Sequence, residues 1–156
     1  MKSLTLLRHA KAEPDSESGS DFDRRLTGSG REDAARMGGE VKQLDLAFDL
    51  ILSSPAVRAA ETAELAGLSP RFDQRIYDAA AGDLLAIVQD AGDAINRLML
   101  IGHNPGFERL ASRLAGQELA MPTGSLVEIK LPIDSWRDAG SGRLVRALSP
   151  KELASR

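Results

Sequence analysis

No cysteine occurs among the 156 residues. Disulfides, thiolate metal sites, iron–sulfur clusters and cysteine-nucleophile chemistry are thereby excluded together. Histidine is nearly as scarce: there are 2, His9 and His103, too few for a histidine-rich metal centre. Aromatic residues make up 4% of the chain, so the core has to be aliphatic. No apolar run approaches the roughly 20 residues of a spanning helix, and Leu4 to Leu7 is far too short for a signal h-region. A positive excess is missing too: 20 Lys and Arg against 23 Asp and Glu give a net charge of −3, which disfavours a nucleic-acid partner. The expectation is a soluble cytoplasmic domain without a membrane or nucleic-acid partner.

What is present is ordinary globular material, 42% apolar and 28% charged. The length suits one domain over residues 1–156, able to bury roughly 70% of the surface its unfolded chain exposes. Three short, continuous apolar runs, Leu4 to Leu7, Leu50 to Leu52 and Leu98 to Ile101, read as strands buried on both faces. Helical patterns lie between them. Thr27 reads as an N-cap for a helix with Ala34, Met37, Val41 and Leu44 on one face. Pro55 suits the first turn of a helix ending near Ala66, Gly82 to Ala91 reads as a third, and Pro105 to Gly116 as a fourth. The tail alternates over Leu126 to Leu131 and Leu144 to Leu148, which predicts a hairpin with one solvated face. The segment Glu13 to Asp23 is polar and predicts one long loop, the kind of segment that tends to carry function. The fold class is α/β, with a mostly parallel central sheet between helices.

Ligands of open α/β sheets bind outside the carboxyl ends of the strands. Here those ends carry Arg8-His9, then Ser53-Ser54-Pro55 with Arg58 following, then Gly102-His103-Asn104-Pro105-Gly106. Both histidines and two arginines are thus predicted on one edge, beside two helix starts. Cations at helix N-termini oppose the helix dipole, an arrangement that makes sense if an anion lies between them. Arginine forks and helix N–H groups together suit phosphate. Taken singly, each residue reads more simply as a solvated charge or a hydrogen-bonded structural histidine; their convergence is what points to a site.

The same residues resemble a known family. Leu6-Leu7-Arg8-His9-Ala10-Lys11-Ala12-Glu13 resembles the signature of the histidine phosphatase superfamily, with Ala10 where glycine is commonest. Arg24-Arg25-Leu26-Thr27, Ser53-Ser54-Pro55-Ala56-Val57-Arg58 through Thr62, Gly102-His103-Asn104-Pro105-Gly106 and Pro122-Thr123-Gly124-Ser125 are similar to its later motifs, in family order. The form Arg-His-Ala-Lys-Ala in a chain this short resembles the SixA-like phosphohistidine phosphatase branch. The resemblance implies a three-layer α/β/α fold of the phosphoglycerate mutase type, without a large cap.

It also implies roles. His9 would be the nucleophile, forming a phosphohistidine; neutral imidazole is abundant at pH 7 and splits one hard displacement into two. Arg8 and Arg58 match two phosphate clamps, His103 a donor to a phosphoryl oxygen, and Arg24 a further phosphate ligand, with Arg25 beside it as the alternative. Asp78 is the candidate proton donor, against the plainer reading of a surface carboxylate before a helix. No metal or cofactor is implied. The implied substrate is phosphohistidine on a protein. A small phosphomonoester on the same site, or a phosphate-binding module without turnover, are the alternatives. Asp21 and Asp23 resemble the aspartate pair of haloacid-dehalogenase phosphatases, but Ser18-Gly19-Ser20 precedes them instead of an apolar strand, so neither is given a role. Trp136 is expected to pack.

Overall fold

Successive side chains of a strand point to opposite faces, so a strand between two helix layers needs apolar residues throughout. The computed structural model, which describes residues 1–156, shows this in its central strands. Strand β1 (Lys2–Arg8) sends Leu4 and Leu6 to one side and Leu7 to the other; β4 (Arg97–Gly102) divides Leu98 and Leu100 from Met99 and Ile101 in the same way. All seven of these side chains are at most 1% exposed.

The remaining elements are α1 (Gly28–Gln43), β2 (Leu50–Ser53), α2 (Val57–Leu65), β3 (Arg71–Phe72), α3 (Ala81–Gln89), α4 (Gly106–Ala115), β5 (Leu126–Leu131), β6 (Arg143–Leu148) and α5 (Pro150–Ala154). They form one six-stranded sheet in the order β3-β2-β4-β1-β5-β6. Strands β1, β2, β3 and β4 pair in parallel, while β5 is antiparallel to both of its neighbours. Helices α3 and α4 bury Leu84, Leu85, Leu110 and Leu114 against one face. Helices α1, α2 and α5 bury Met37, Val41, Ala59, Ala63 and Leu153 against the other. The result is the three-layer α/β/α arrangement with a mostly parallel sheet.

The local signals act as read at several points. Thr27 caps α1 by accepting the Gly30 N–H at 2.9 Å. Gly116 ends α4 in the left-handed conformation at φ 67°, which a residue without Cβ adopts at little cost. Trp136 is fully buried and donates to the Ile95 carbonyl at 2.7 Å. Other boundaries differ. Pro55 precedes the N-cap residue Ala56 and lies outside α2. The hairpin has no clean solvated face: in β5 only Lys130 is exposed, and in β6 only Arg143 and Ala147 are. Its inward polar residue, Glu128, is held by Arg146 Nε at 2.7 Å and by the Ser3 hydroxyl at 3.2 Å. The long loop contains a 3-10 turn at Asp21–Asp23 that packs against α2. No helix is long and apolar enough to cross a membrane.

Candidate active site

Because β1, β2 and β4 run in parallel, their carboxyl ends open on one edge, and a cleft of about 600 Å³ lies there. It is lined by Arg8, His9, Arg24, Arg58, His103 and Asp78 together with Lys11, Asp21 and Tyr77. Every residue singled out for the site is therefore in one place. Arg25 is not: it is exposed and borders a separate hollow with Glu13 and Asp23. A cleft of about 630 Å³ at the opposite edge includes Lys2 and Asp49, whose charged groups are engaged by the backbone. Its Lys2 ammonium donates to the Asp93 and Ile95 carbonyls at 2.7 and 2.8 Å, and Asp49 accepts the backbone N–H groups of Asn96 and Arg97.

The backbone fixes His9 from three sides. Its N–H donates to Gly102 on β4 at 3.0 Å, and its carbonyl accepts the Gly124 N–H at 2.8 Å. The next residue, Ala10, donates to the Thr62 hydroxyl at 3.0 Å, and that hydroxyl donates to the Arg58 carbonyl at 2.7 Å. Thr62 therefore ties the segment after His9 to the helix that carries Arg58, which gives a physical reason for an arginine and a threonine four residues apart.

His9 is 6% exposed, and its Nδ1 lies 2.7 Å from the Ala10 carbonyl oxygen. A carbonyl only accepts, so Nδ1 carries the proton and Nε2 keeps the lone pair. Burial lowers the His9 pKa to about 4; the Ala10 bond opposes this, while Arg58, Arg8 and Arg24 add to it. His103, 8% exposed, is lowered to about 3, first by burial and then by His9 and Arg58. The two rings lie 5.2 Å apart between centroids. At neutral pH both are uncharged, one of them with a lone pair suited to attack.

The positive charge comes from arginines. Arg8 donates through Nη1 to the Met121 carbonyl at 2.9 Å, and Arg24 through Nη1 to the Glu13 carbonyl at 2.8 Å. Arg58 donates to the Asp21 carbonyl at 2.7 Å and to its carboxylate at 3.0 Å. The buried side-chain polar atoms without a partner are Arg8 Nε, Arg58 Nε, His103 Nδ1 and Ser125 Oγ. Such atoms cost about 1–3 kcal/mol each when left unpaired, and three of the four belong to residues that line this cleft, which calls for an explanation. Helices α2 and α4 also begin here without a side-chain cap. The donor set suits an anion, and no group of three or more His, Asp or Glu side chains converges as a metal site would require.

Sequence reasoning missed Asp21. Its carboxylate accepts from Tyr77 Oη at 2.6 Å, from Arg24 Nε at 3.0 Å and from Arg58 Nη2 at 3.0 Å. The Tyr77 bond first, and the arginines with it, bring its pKa down to about 2. One signal could have found it: an acidic residue in the one long loop of a chain that gathers arginines at a single edge. Asp78 is exposed, has no hydrogen bond from its side chain, and adopts the left-handed conformation at φ 55°. An Asp tolerates that conformation better than most residues, and such outliers gather at functional sites.

The buried histidines make stability depend on pH. An unfolded histidine titrates near 6.5, but here the folded values are about 4 and 3. Above about pH 6.5 both states are neutral and the full stability is present. As pH falls from about 6.5 toward 4, the unfolded chain binds protons that the fold refuses, so stability declines. The expected loss is on the order of 3 kcal/mol for each of these two residues by pH 4, read as a falling urea midpoint between pH 7 and 4. In a His9→Asn, His103→Gln variant the decline should be much shallower; an equal decline would show that carboxylates cause it.

The profile of the histidine phosphatase superfamily (branch 1) matches residues 4–94. An uncharacterized protein of Mycobacterium tuberculosis is 36% identical over 112 residues, 70% of each chain. An uncharacterized chloroplastic protein of Arabidopsis thaliana is 33% identical over 151 residues, covering 87% of this chain and 69% of its own. Among solved structures, a candidate phosphohistidine phosphatase SixA from Agrobacterium tumefaciens superposes with TM-score 0.82 at 27% identity, over 96% of this chain and 98% of that one. The protein histidine phosphatase SixA complexed with tungstate superposes with TM-score 0.83 at 23% identity, over 97% and 99%.

Proposed function

The chain belongs to the histidine phosphatase superfamily, and we propose that it is a one-domain phosphatase that works through a phosphohistidine on His9, with phosphohistidine on another protein as its substrate. The observation that carries this reading is the pairing of a neutral His9, its lone pair on Nε2, with the buried, unpartnered donors of Arg8, Arg58 and His103.

The chemistry runs in two displacements. Nε2 of His9 attacks phosphorus as the bond from phosphorus to the leaving group breaks, and the leaving group takes up a proton. Water then attacks the phosphoryl group, the new P–N bond breaks, and inorganic phosphate leaves with His9 neutral again. Charge sits mainly on the equatorial oxygens throughout, so catalysis rests on positioning and electrostatics. Arg8 and Arg58 clamp those oxygens, Arg24 adds a third cation, and His103 donates a hydrogen bond. No step of this scheme calls on a metal or cofactor. Asp78 is the carboxylate that the arginines leave unpaired, and it serves as proton donor. Imidazole leaving from phosphorus needs less help than an alkoxide, which suits a phosphohistidine substrate.

Asp21 holds the Arg58 fork that an incoming phosphoryl group needs, so the two anions compete. Asp21→Asn is expected to tighten the binding of inorganic phosphate about threefold, measured by calorimetry at low salt. Weaker binding would show that Asp21 organises the arginines instead.

The reading is tested by phosphate release at neutral pH with a chelator present, comparing a phosphohistidine protein with an aryl phosphate. Faster release from phosphohistidine, lost in His9→Ala, is the expected result. Release from the aryl ester alone would move the substrate to small phosphomonoesters. Release from neither would leave a phosphate-binding module.

A further inference from the structure

Ser54 follows the last residue of β2 and is fully buried. Its hydroxyl oxygen accepts the Ala56 N–H at 3.2 Å and lies 2.8 Å from His103 Nε2. Its carbonyl is already engaged by the Ser53 hydroxyl at 2.9 Å. Two placements of the His103 proton are then possible, and they leave different groups unsatisfied.

With the proton on Nε2, the ring donates to Ser54 Oγ, which already accepts from Ala56. The serine hydrogen is then buried without an acceptor, and Nδ1 is a buried lone pair without a donor. With the proton on Nδ1, the serine hydroxyl donates to Nε2 and every group around Ser54 is satisfied. A single orphan remains, the Nδ1–H. Buried unpaired groups are costly, so the second placement wins.

We infer that Ser54 is a positioning residue that fixes His103 as the Nδ1–H tautomer, turning this ring into a neutral hydrogen-bond donor for a phosphoryl oxygen. The catalytic consequence rests on the phosphatase reading; the tautomer does not. Both histidines then carry their proton on Nδ1 but present opposite faces to chemistry. His9 spends its N–H on the backbone and offers a lone pair, whereas His103 spends its lone pair on Ser54 and offers an N–H. The depressed pKa of His103 is consistent with this, since a neutral ring is the form for which the tautomer matters.

The test is nitrogen NMR of the histidine rings in the full chain at pH 7, with His9→Asn used to assign the two signals. The expected result is a protonated Nδ1 and an unprotonated Nε2 on His103. In Ser54→Ala the His103 signals should move toward the other tautomer, and kcat on an aryl phosphate should fall about tenfold or more, since removal of one such donor costs about 10²–10³. Ser54→Thr, which restores the hydroxyl, should recover the wild-type signals. A wild-type spectrum with the proton on Nε2 overturns the inference by itself, whether or not the variants fold. So does a Ser54→Ala protein with unchanged ring signals and unchanged kcat. The expected wild-type spectrum in a protein that releases no phosphate would sustain the tautomer and remove the phosphatase reading.

Discussion

Replacing His9 by alanine is expected to lower phosphate release by about 10⁴-fold or more while leaving phosphate binding largely intact. Loss of a nucleophile removes the whole covalent route, and such losses reach about 10⁴–10⁶. Binding should persist because Arg8, Arg58 and His103 keep their places. Arg8 is anchored on the Met121 carbonyl, Arg58 on Asp21, and His103 on Ser54, none of them through the His9 ring. The fold should also persist, since the only hydrogen bond of the ring is to its neighbour Ala10. Steady-state release and phosphate calorimetry on one preparation decide the matter. Undiminished turnover would place the nucleophile elsewhere.

Arg58→Ala is the second large effect. A donor aimed at charge that develops in the transition state is worth about 3–4 kcal/mol, or about 10²–10³ in kcat. Arg58 is 5% exposed, and its pairing with Asp21 is shielded on the arginine side. Its loss also releases Asp21, whose carboxylate would then hold only Tyr77 and Arg24 beside the phosphoryl group, adding repulsion to the missing attraction. Arg58→Lys keeps the charge but loses the planar fork and should recover only part of the rate. Helix α2 should remain, because Ala59, Thr62 and Ala63 of its buried face stay in place. Normal kcat/KM in Arg58→Ala would remove the residue from the site.

The parts of the fold legible in the sequence are those where one physical demand acts alone. Leu98 to Ile101 reads as a doubly buried strand because nothing but apolar side chains fits between two helix layers. Thr27 and Gly116 read as helix ends because capping is local chemistry. The tail misleads for the opposite reason. Glu128 and Lys130 mark alternate positions of β5, yet Glu128 is buried against Arg146, a partner that no local pattern reveals. Strand β3 is two residues long and leaves no period to detect. The last helix did leave a signal that went unused: Ser149 caps it, Pro150 starts it and Glu152 returns a carboxylate to the serine hydroxyl.

The site divides in the same way. Arg8, His9, His103 and Arg58 are legible because they lie at or just beyond strands whose ends must share an edge, whereas Arg24 enters only through the family resemblance. Asp21 is not, because its importance comes from a contact with Arg58 across 37 positions of sequence and from a loop with no periodicity. Ser54 is visible only as part of a motif; its function depends on which nitrogen of His103 it faces, and that is a matter of angstroms.

That a phosphoryl group is carried on His9 is tested by rapid quench. Enzyme mixed with substrate carrying a labelled phosphoryl group is stopped in alkaline denaturant, in which a phosphohistidine survives, and the label is mapped by mass spectrometry. Label is expected on the peptide that contains His9, appearing before phosphate release and absent from His9→Ala. Turnover without protein-bound label, or label on another residue, would contradict it.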